Sequence, residues 1–557
     1  MIARAAAIEA VQAEDFDVVV VGGGITGAGV ALDAASRGYS VALLERGDYS
    51  QGTSSRSSKM IHGGLRYLRN FDLGLVREAL MERQLMVHLA PHLVYPTPYL
   101  VPALGEDRRD LRIGIGLNMY DVMATSRIGR GRSQRAEKEA VGDWWSPDRH
   151  RTITGEEAAE LSPALAPSEP SSAYLFYDCQ TDDSRLVLTI LGEAERFGAV
   201  LLNGAEVTDI LDDGGRAAGV RFTEAESGEA IEVGAANVVN ATGVWADTIR
   251  PDEILTEEEI PRIAPSRGAH IALSTDDLDV GDAAFLVPAG EERTVMVLPW
   301  YGHAMIGPTD KDYDGELDHV PPGEDHVLYL LDAVNSFLGL DLGPERITGA
   351  FAGVRPLISS GDPKKSVDIS RKAELYETSS GMLTITGGKL TTWRKMAEMT
   401  VDRIVERDGR EAESRTDDIP LGMPARPEDL ETDVELPEGA RDQLAFRYGH
   451  AARHVLDLAA ERPELAEPIV PGMPDLLAEA VLAARAEQAR TVADVLLRRT
   501  RLGLVAAVGL RDPDRVRAVA EAIAGELGWG KRRISDELEA WDRMVAAEGL
   551  DPAAQLT

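Results

Sequence analysis

The sequence predicts an α/β fold in which a parallel, helix-flanked sheet carries an inserted antiparallel sheet and is followed by an all-α C-terminal domain. Three observations predict it. Residues 17–45 read as strand, glycine turn, helix and second strand, residues 262–273 and 294–309 carry alternating apolar residues, and helical periodicity dominates from residue 439 onward.

The first of these segments has the spacing of a dinucleotide site. Strands are predicted over 18–21 and 41–44, and a helix over 28–37 with Gly38 as its C-cap. The glycines and the acid that carry the pattern are Gly22, Gly24, Gly27 and Glu45. Such glycines permit a tight turn, close approach of the backbone to a pyrophosphate and close helix–strand packing, while the acid can bind a ribose. The unit predicts a Rossmann-like nucleotide site; the alternative is a glycine-rich turn in an ordinary parallel sheet.

The composition is that of an acidic globular chain with a single thiol. The 557 residues include 94 acids and 58 bases, giving a net charge of −36, and nine of the bases are lysines. A surface with this charge repels nucleic acid, so a cluster of bases inside the chain is informative. Cys179 is the one cysteine, so the chain cannot form an intrachain disulfide or a metal site built from cysteines. We interpret it as a structural thiol.

No targeting or membrane-spanning segment is predicted. The first fifteen residues lack the basic start and apolar core of a signal peptide. No uninterrupted apolar run reaches the length of about 18 residues that a membrane-spanning helix needs. We therefore expect a cytoplasmic protein, and peripheral contact with the cytoplasmic face of the plasma membrane stays open.

Two further strand ends and one polar loop can complete a nucleotide site. A strand that ends in Ala241-Thr242-Gly243 is typical of flavin-binding folds. A second strand leads through the pair 387–388 into a helix predicted over 393–407, whose positive N-terminal end can face a flavin. The loop 52–68 combines hydroxyl residues, glycines, a lysine and a histidine, which suit a pyrophosphate and a ribityl chain. A Ser/Gly-rich segment of this kind is also common in loops without a ligand.

These elements divide the chain into three regions. The first is a module over 15–407, with nucleotide-binding pieces at about 15–100, 175–250 and 345–405 and a substrate domain at about 100–175 and 255–345. The second is an acidic, proline-containing linker at 408–438. The third is an all-α domain at 439–557, with helices predicted over 441–447, 451–461, 475–487, 492–509 and 515–527.

Five segments identify a family resemblance: GGGITGAG, TSSRSSKMIHGGLRYL, NATGVWAD, FAGVRPL and TGGKLTTWRKMAE. Their order and spacing resemble the aerobic, quinone-linked family of FAD-dependent glycerol-3-phosphate dehydrogenases along nearly the whole chain. The resemblance implies a two-domain flavoprotein fold like that of D-amino-acid oxidase, with FAD as cofactor. The C-terminal helices are similar to that family's cap domain, and we expect them to form capping and homodimer contacts.

The resemblance also implies a reaction. A phosphorylated polyol, sn-glycerol 3-phosphate, would be oxidised to dihydroxyacetone phosphate by hydride transfer from C2 to flavin N5, and the electrons would pass to a quinone. The alternatives are a glycerol-3-phosphate oxidase that uses oxygen and a related flavin amine or hydroxy-acid oxidase. A non-catalytic flavoprotein and a nicotinamide dehydrogenase are disfavoured by the intact glycine motifs, the Ala-Thr-Gly element and the Gly-Gly-Lys element.

Individual site residues are implied by the matching motifs. The catalytic residues are His62 and Arg355. The substrate-binding residues are Arg66, Tyr67, His270, Thr309, Arg355, Arg371 and Lys389. The cofactor-binding residues are Gly22, Gly24, Ile25, Thr26, Gly27, Glu45, Arg46, Thr53, Ser54, Ser57, Ser58, Lys59, His62, Gly63, Ala241, Thr242, Gly243, Gly388, Lys389, Leu390 and Thr391. Elementary chemistry agrees, because a buried phosphate monoester needs charge-assisted donors and a histidine suits removal of a hydroxyl proton near neutral pH. His270 and a neutralised arginine are the rivals of His62 as base.

Other sequence features carry less information. Histidines recur at HxxxH spacing at 88/92 and 450/454, but neither pair has the glutamate of an HExxH motif. We therefore expect no metal. The apolar stretch 111–123 can contact a membrane or a quinone, or belong to the substrate-domain core or a dimer contact.

Overall fold

The computed structural model describes residues 4–65, 72–104, 111–125, 149–249, 262–290, 293–359 and 373–556. The strands are β1 Phe16–Val21, β2 Val41–Leu44, β3 Met60–Ile61, β4 Tyr95–Ala103, β5 Arg151–Thr154, β6 Ser172–Gln180, β7 Val200–Leu202, β8 Ala205–Asp213, β9 Arg216–Glu224, β10 Ala230–Asn240, β11 Arg262–Ser274, β12 Ala284–Pro288, β13 Thr294–Trp300, β14 His303–Gly307, β15 Lys311–Asp312, β16 Ile347–Ser359, β17 Ala373–Glu377 and β18 Leu383–Gly387. The helices are α1 Arg4–Ala13, α2 Ile25–Ser36, α3 Leu73–Leu89, α4 Leu111–Thr125, α5 Gly155–Leu161, α6 Asp183–Arg196, α7 Glu324–Leu338, α8 Trp393–Asp408, α9 Ala440–Tyr448, α10 Ala452–Glu461, α11 Leu477–Ala486, α12 Val492–Asp494, α13 Leu502–Val505, α14 Pro513–Leu527, α15 Lys531–Glu548 and α16 Pro552–Leu556.

The glycine-turn units build the first sheet. Its main strand order is β17-β18-β10-β1-β2-β7, with β1 parallel to both β2 and β10. Val18 and Val20 of β1 pack against α2, α6 and α8, while Val19 and Val21 pack on the opposite face against α1 and the β8–β10 ribbon. Burial on both faces explains why β1 is a continuous valine run and does not alternate with polar residues.

The second sheet is mixed and mostly antiparallel. Its main order is β15-β11-β14-β13-β12-β4-β6-β3, and one pair in it, β12 with β4, is parallel. Strand β16 pairs with β11 from Ser359 opposite Arg262 to Ile347 opposite Leu273. The piece predicted at 345–405 therefore begins in the second sheet and not beside the nucleotide turn. The motif at 351–357 lies within β16, and the sheet to which this strand belongs depends on its pairing with β11, about 80 residues earlier in the chain.

The C-terminal helices cover one face of this second sheet. A Cβ atom on Gly349 of β16 would lie 2.4 Å from the Leu504 carbonyl oxygen, and the Ala350 amide donates to the Leu550 carbonyl at 2.9 Å. The acidic segment at 408–438 packs against the body, since Leu421 and Leu430 are fully buried. Within the described ranges, every helix is too short or too polar to cross a bilayer.

One predicted helix is broken. The segment predicted as a helix over 492–509 forms α12, a π-helical turn at Val495–Arg499 and α13. Arg501 separates the last two with φ of 70°, a left-handed conformation that is uncommon for a residue with a Cβ. Its guanidinium is buried against Asp183 of α6, and that contact outweighs the local preference for a continuous helix.

A second difference is α15, a helix that is not among those predicted from the sequence. Its sequence is highly charged, yet Ile534, Leu538 and Trp541 recur at helical spacing and pack on the C-terminal core. The signal was therefore present in the sequence as an amphipathic stripe.

Candidate active site

A cavity of about 1770 Å³ lies where the two sheets meet. From the first sheet it is lined by residues at the carboxyl ends of β1, β2, β10 and β18, and from the second by residues of β4, β6, β11, β13 and β16. Ligands of open parallel sheets bind at this edge, where the strands lead into turns and helix N-termini. The glycine motifs and the basic residues thus share one concave site.

The glycine turn leaves space for a ligand against the backbone. Gly22 has φ of +111°, and a Cβ there would lie 2.7 Å from the Ala241 carbonyl oxygen. A Cβ on Gly27 would lie 1.9 Å from the Gly22 carbonyl oxygen, so α2 can approach β1 only with glycine at this position. The N-terminus of α2 has no side-chain cap from its own N-cap residue, Gly24. Ser54 Oγ of the neighbouring loop accepts from the first amide of the helix, that of Ile25, and a helix N-terminus approached through glycines fits a pyrophosphate.

Glu45 lies at the end of β2 and is held by backbone groups. Its Oε2 accepts from the Gly23 amide at 2.7 Å, and its Oε1 accepts from the Gly47 amide at 2.9 Å. Burial raises the pKa of the Glu45 carboxyl above its ordinary value. Beside it, the Arg46 guanidinium lies over the Trp245 ring at 4.4 Å. The two amides fix the carboxylate at the position that the motif predicts for a ribose contact.

The hydroxyl-rich loop connects the two sheets. Thr53 Oγ1 donates to the Val354 carbonyl of β16 at 2.6 Å, and Ser58 Oγ lies 2.9 Å from His270 Nε2 of β11. Ser54 Oγ accepts from the Ile25 amide at 2.9 Å. The loop therefore joins the start of α2 to the strands that carry the predicted substrate residues.

Lys59, which was predicted to bind the cofactor, does not point into the cavity. Its side chain is fully buried, its Nζ lies 2.8 Å from Asp183 Oδ2, and it does not line the cavity. Burial, together with the charge of Arg501, lowers the pKa of Lys59 to about 7. The ammonium turns away from the cavity because Asp183 is the buried counter-ion within reach, and a lone buried charge is costly.

The part of the cavity that holds the predicted substrate residues combines β11 with β16. A Cβ on Gly268 would lie 2.5 Å from Arg355 Nη2, so the guanidinium lies flat across this glycine. Arg355 also donates to Asp310 Oδ1 at 3.1 Å and to the Thr309 carbonyl at 3.2 Å. His270 lies two residues after Gly268, on the same face of β11, and its ring stacks on the Phe351 ring with the ring centroids 4.8 Å apart. Burial, Lys59 and Arg355 hold the pKa of His270 well below its ordinary value, so its ring is neutral.

His62 and the Gly-Gly-Lys turn meet across the cavity wall. The His62 amide donates to Thr391 Oγ1 at 3.1 Å, and the same hydroxyl donates to the His62 carbonyl at 3.2 Å. Lys389 stands at the N-cap of the turn that leads into α8. Residues predicted from two motifs more than 300 positions apart are thus adjacent.

The predicted site residues fall into three groups. Those that line the cavity are Gly22, Gly24, Ile25, Thr26, Glu45, Arg46, Thr53, Ser54, Ser57, Ser58, His62, Ala241, Thr242, Gly243, His270, Thr309, Arg355, Gly388, Lys389, Leu390 and Thr391. Gly27, Lys59 and Gly63 are not among the lining residues. Arg66, Tyr67 and Arg371 lie outside the described residues.

The cavity also contains residues that sequence reasoning missed. Arg56, Asp178, Trp245 and Asp310 line it. Asp310 directly follows the predicted Thr309, and Arg56 lies inside the Ser-rich loop. Both residues could therefore have been predicted from the motifs that contain them. Asp178 carried no local signal, because its place depends on β6 pairing with β3 and β4.

No metal centre competes with this interpretation in the part of the chain that the structure describes, where no three His, Cys, Asp or Glu side chains are grouped to hold an ion. The glycine turn, the N-terminus of α2 and the hydroxyl-rich loop together fit a dinucleotide such as FAD.

Comparisons with known proteins agree with this site. Residues 17–394 match the family model described as FAD dependent oxidoreductase, and residues 414–534 match the model described as the C-terminal domain of alpha-glycerophosphate oxidase. Glycerol-3-phosphate dehydrogenase 2 of Mycobacterium tuberculosis is 37% identical, covering 99% of this chain and 91% of that protein. The protein named glycerol-3-phosphate dehydrogenase of Mycobacterium leprae is also 37% identical, with the same coverage.

A solved structure extends the similarity to three dimensions. The glycerol-3-phosphate dehydrogenase from Bacillus halodurans, complexed with FAD, superimposes with a TM-score of 0.76 at 27% identity and covers 98% of this chain and 97% of that one. The two-domain fold with a helical C-terminal domain is therefore confirmed, as is FAD as the cofactor. The chain belongs to the glycerol-3-phosphate dehydrogenase family of FAD-dependent oxidoreductases.

Proposed function

We propose that this protein oxidises sn-glycerol 3-phosphate to dihydroxyacetone phosphate. The observation that carries the proposal is that Arg355, Lys389, His62, His270 and Thr309 all line the same cavity, in a chain whose net charge is −36. In a chain of this net charge, a dianionic phosphate monoester needs charge-assisted donors inside the site, and Arg355 and Lys389 are two such donors. Bound FAD supplies the acceptor, at N5, for the hydride that leaves C2.

The residues proposed to hold FAD are the cavity-lining glycines, hydroxyls and Glu45 named above. Backbone N–H groups at the start of α2 would hold the pyrophosphate, and the Glu45 carboxylate would accept from the adenosine ribose. The N-terminal end of α8 would stabilise the negative charge that develops on the flavin during reduction. Gly27, Lys59 and Gly63 support this cradle from behind, through packing and through Asp183.

We propose that different residues bind the substrate and remove its proton. Arg355 and Lys389 bind the anionic substrate, and Arg355 also stabilises the developing negative charge on the C2 oxygen. His62 removes the proton of the 2-hydroxyl as C2 loses its hydride. His270 is the second candidate base, because its low pKa keeps the ring unprotonated across the neutral range.

Anaerobic flavin reduction tests these roles. Glycerol 3-phosphate should bleach the visible flavin band of the purified protein, whereas glycerol and glycine should not. Arg355→Met and Lys389→Met should each weaken the apparent affinity about 10- to 100-fold, since each removes a charge-assisted donor. Arg346→Met and Lys395→Met are matched controls, because both side chains are largely exposed in surface ion pairs. Retention of wild-type affinity by both site variants would refute the assignment.

The base is identified by single-turnover rates. His62→Ala should reduce the flavin at least about 100-fold more slowly than wild type while keeping its FAD. His270→Ala should have the larger effect if the second candidate is correct. A normal rate in His62→Ala removes His62 from the mechanism.

We propose a quinone as electron acceptor. The lining of the same cavity also includes apolar side chains, which suit a lipophilic acceptor; they are Ile113, Ile115 and Met119 of α4, Leu286 and Met296. Rapid reoxidation by a soluble quinone analogue with little peroxide supports a dehydrogenase. A stoichiometric peroxide yield in air would favour the oxidase alternative.

We also propose peripheral contact with the cytoplasmic face of the plasma membrane, and a homodimer. Ile115 and Val122 of α4 are 62% and 59% exposed, which supports contact with an apolar phase. Flotation of the purified protein with liposomes tests the first proposal, and sedimentation equilibrium tests the second. Failure of either leaves the proposed reaction unaffected.

A further inference from the structure

A buried hydrogen-bond chain lies directly behind the predicted substrate residue Thr309. Arg267 Nη2 lies 3.2 Å from His326 Nε2, and His326 Nδ1 lies 2.6 Å from Thr309 Oγ1. The Ala269 amide donates to the same hydroxyl oxygen at 2.9 Å. His326, in the first turn of α7, is 5% exposed, and the chain ends at the cavity because Thr309 lines it.

The chemistry of the three groups decides the direction of every hydrogen bond. An arginine guanidinium has only donors, so His326 Nε2 must be the acceptor. A neutral imidazole with an acceptor at Nε2 carries its hydrogen at Nδ1, and Nδ1 therefore donates to Thr309. Burial and Arg267 lower the pKa of His326, which keeps the ring neutral. Asp325 approaches Nε2 only to 3.9 Å and instead accepts from Lys311 at 2.9 Å.

Both acceptor positions of the Thr309 hydroxyl are then occupied. The oxygen accepts from Ala269 and from His326, so its own hydrogen must point in the remaining tetrahedral direction. No described residue accepts it, and the adjoining Thr309 carbonyl is held by Arg355 at 3.2 Å. We propose that Arg267 and His326 lock Thr309 as a donor-only hydroxyl for an acceptor oxygen of the substrate, which makes them positioning residues. The inference rests on the proposed function for the identity of that substrate.

Double-mutant kinetics test the coupling. Thr309→Val should raise the KM for glycerol 3-phosphate about 10- to 100-fold, and Thr309→Ser should reverse most of that increase. His326→Leu should raise KM about 5- to 20-fold, and His326→Asn should restore much of it because its amide N–H takes the place of Nδ1–H. In the Thr309→Val background, His326→Leu should have no further effect. His454→Leu, an exposed histidine, serves as the control.

Two results would overturn the inference: additive effects of His326→Leu and Thr309→Val, or an Asn variant as poor as the Leu variant. A second readout does not depend on turnover. In protein labelled with ¹⁵N-histidine, the ring of His326, assigned by comparison with His326→Asn, should show hydrogen at Nδ1, and Arg267→Met should release this preference. Hydrogen at Nε2 in the wild type refutes the mechanism. If glycerol 3-phosphate fails to bleach the flavin while the Nδ1 tautomer is found, the proposed function is refuted, but the orientation of the Thr309 hydroxyl by Arg267 and His326 is supported.

Discussion

A buried ion network, to which the C-terminal domain contributes Arg501, holds the hydroxyl-rich loop that we propose contacts FAD. Arg501 has no exposed side-chain surface, and its Nη2 lies 2.8 Å from Asp183 Oδ1 and 2.8 Å from the Ser55 carbonyl. Asp183 in turn accepts from Ser57 at 2.6 Å and from Lys59 at 2.8 Å. We therefore predict that Arg501→Met destabilises the protein and loosens its hold on FAD.

The magnitude follows from what the substitution leaves behind. Asp183 keeps Lys59 as its counter-ion, and the Ser55 carbonyl keeps its hydrogen bond from Lys59 Nζ. The main losses are therefore the charge-assisted hydrogen bond to Asp183, about 1.5–3 kcal/mol, and the hydrogen bond to the Leu497 carbonyl, about 1–3 kcal/mol, while the ion pair with Asp182 at 3.6 Å is a weaker loss. Part of this stability is regained, because without the Arg501 charge the pKa of Lys59 rises from about 7 and its ammonium pairs more strongly with Asp183. We expect a net loss of about 3 kcal/mol. Adding Lys59→Met leaves a buried carboxylate without either partner, at a further cost of about 3–5 kcal/mol.

Thermal unfolding followed by circular dichroism, with flavin release followed by fluorescence, measures both effects. Arg543→Met is the matched control, because Arg543 is 70% exposed and its ion pair is long at 3.8 Å. The reasoning is refuted if Arg501→Met unfolds within about 0.5 kcal/mol of the control, the range of ordinary surface substitutions. It is also refuted if the double variant is no worse than the sum of the two single variants.

Three further predictions follow from single contacts. Gly27→Ala places a Cβ 1.9 Å from a carbonyl oxygen and should abolish FAD retention, whereas Gly525→Ala, with open space around it, should bind FAD normally; a yellow Gly27→Ala protein would contradict this. Gly268→Ala displaces the Arg355 guanidinium, 2.5 Å from the new Cβ, so KM should rise at unchanged flavin content, and an unchanged KM would count against Arg355 as a substrate ligand. Burial raises the pKa of the Asp475 carboxyl from 3.8 to about 6. Between about pH 4 and 6 the native state therefore keeps a proton on this carboxyl that the unfolded chain has lost. The free energy of unfolding should fall as the pH rises through this range. Asp475→Asn should remove that slope in urea titrations, and a slope that persists would exclude Asp475 as its source.

The local elements were predictable because their signals are local. A valine run, glycines at fixed spacing and an acid at the strand end predict β1, α2, β2 and Glu45 whatever the rest of the chain does. The same holds for the helices from α9 to α11, whose apolar stripes have helical spacing. The motif at 351–357 predicted that Arg355 belongs to the site, although not that its strand would lie in the second sheet.

The remaining features depend on contacts between distant segments. Arg501 leaves the helical conformation because Asp183, 318 positions earlier, provides a buried counter-charge, and Lys59 turns from the cavity to the same carboxylate. The hydrogen that Thr309 presents is set by Arg267 and His326, which no spacing rule connects. The sequence by itself determined which segments carry glycine turns, hydroxyls and bases, since these follow from neighbouring residues. Only the tertiary structure decided the direction of each buried polar group, because a buried charge or hydroxyl orients toward whichever partner the fold brings within hydrogen-bond distance.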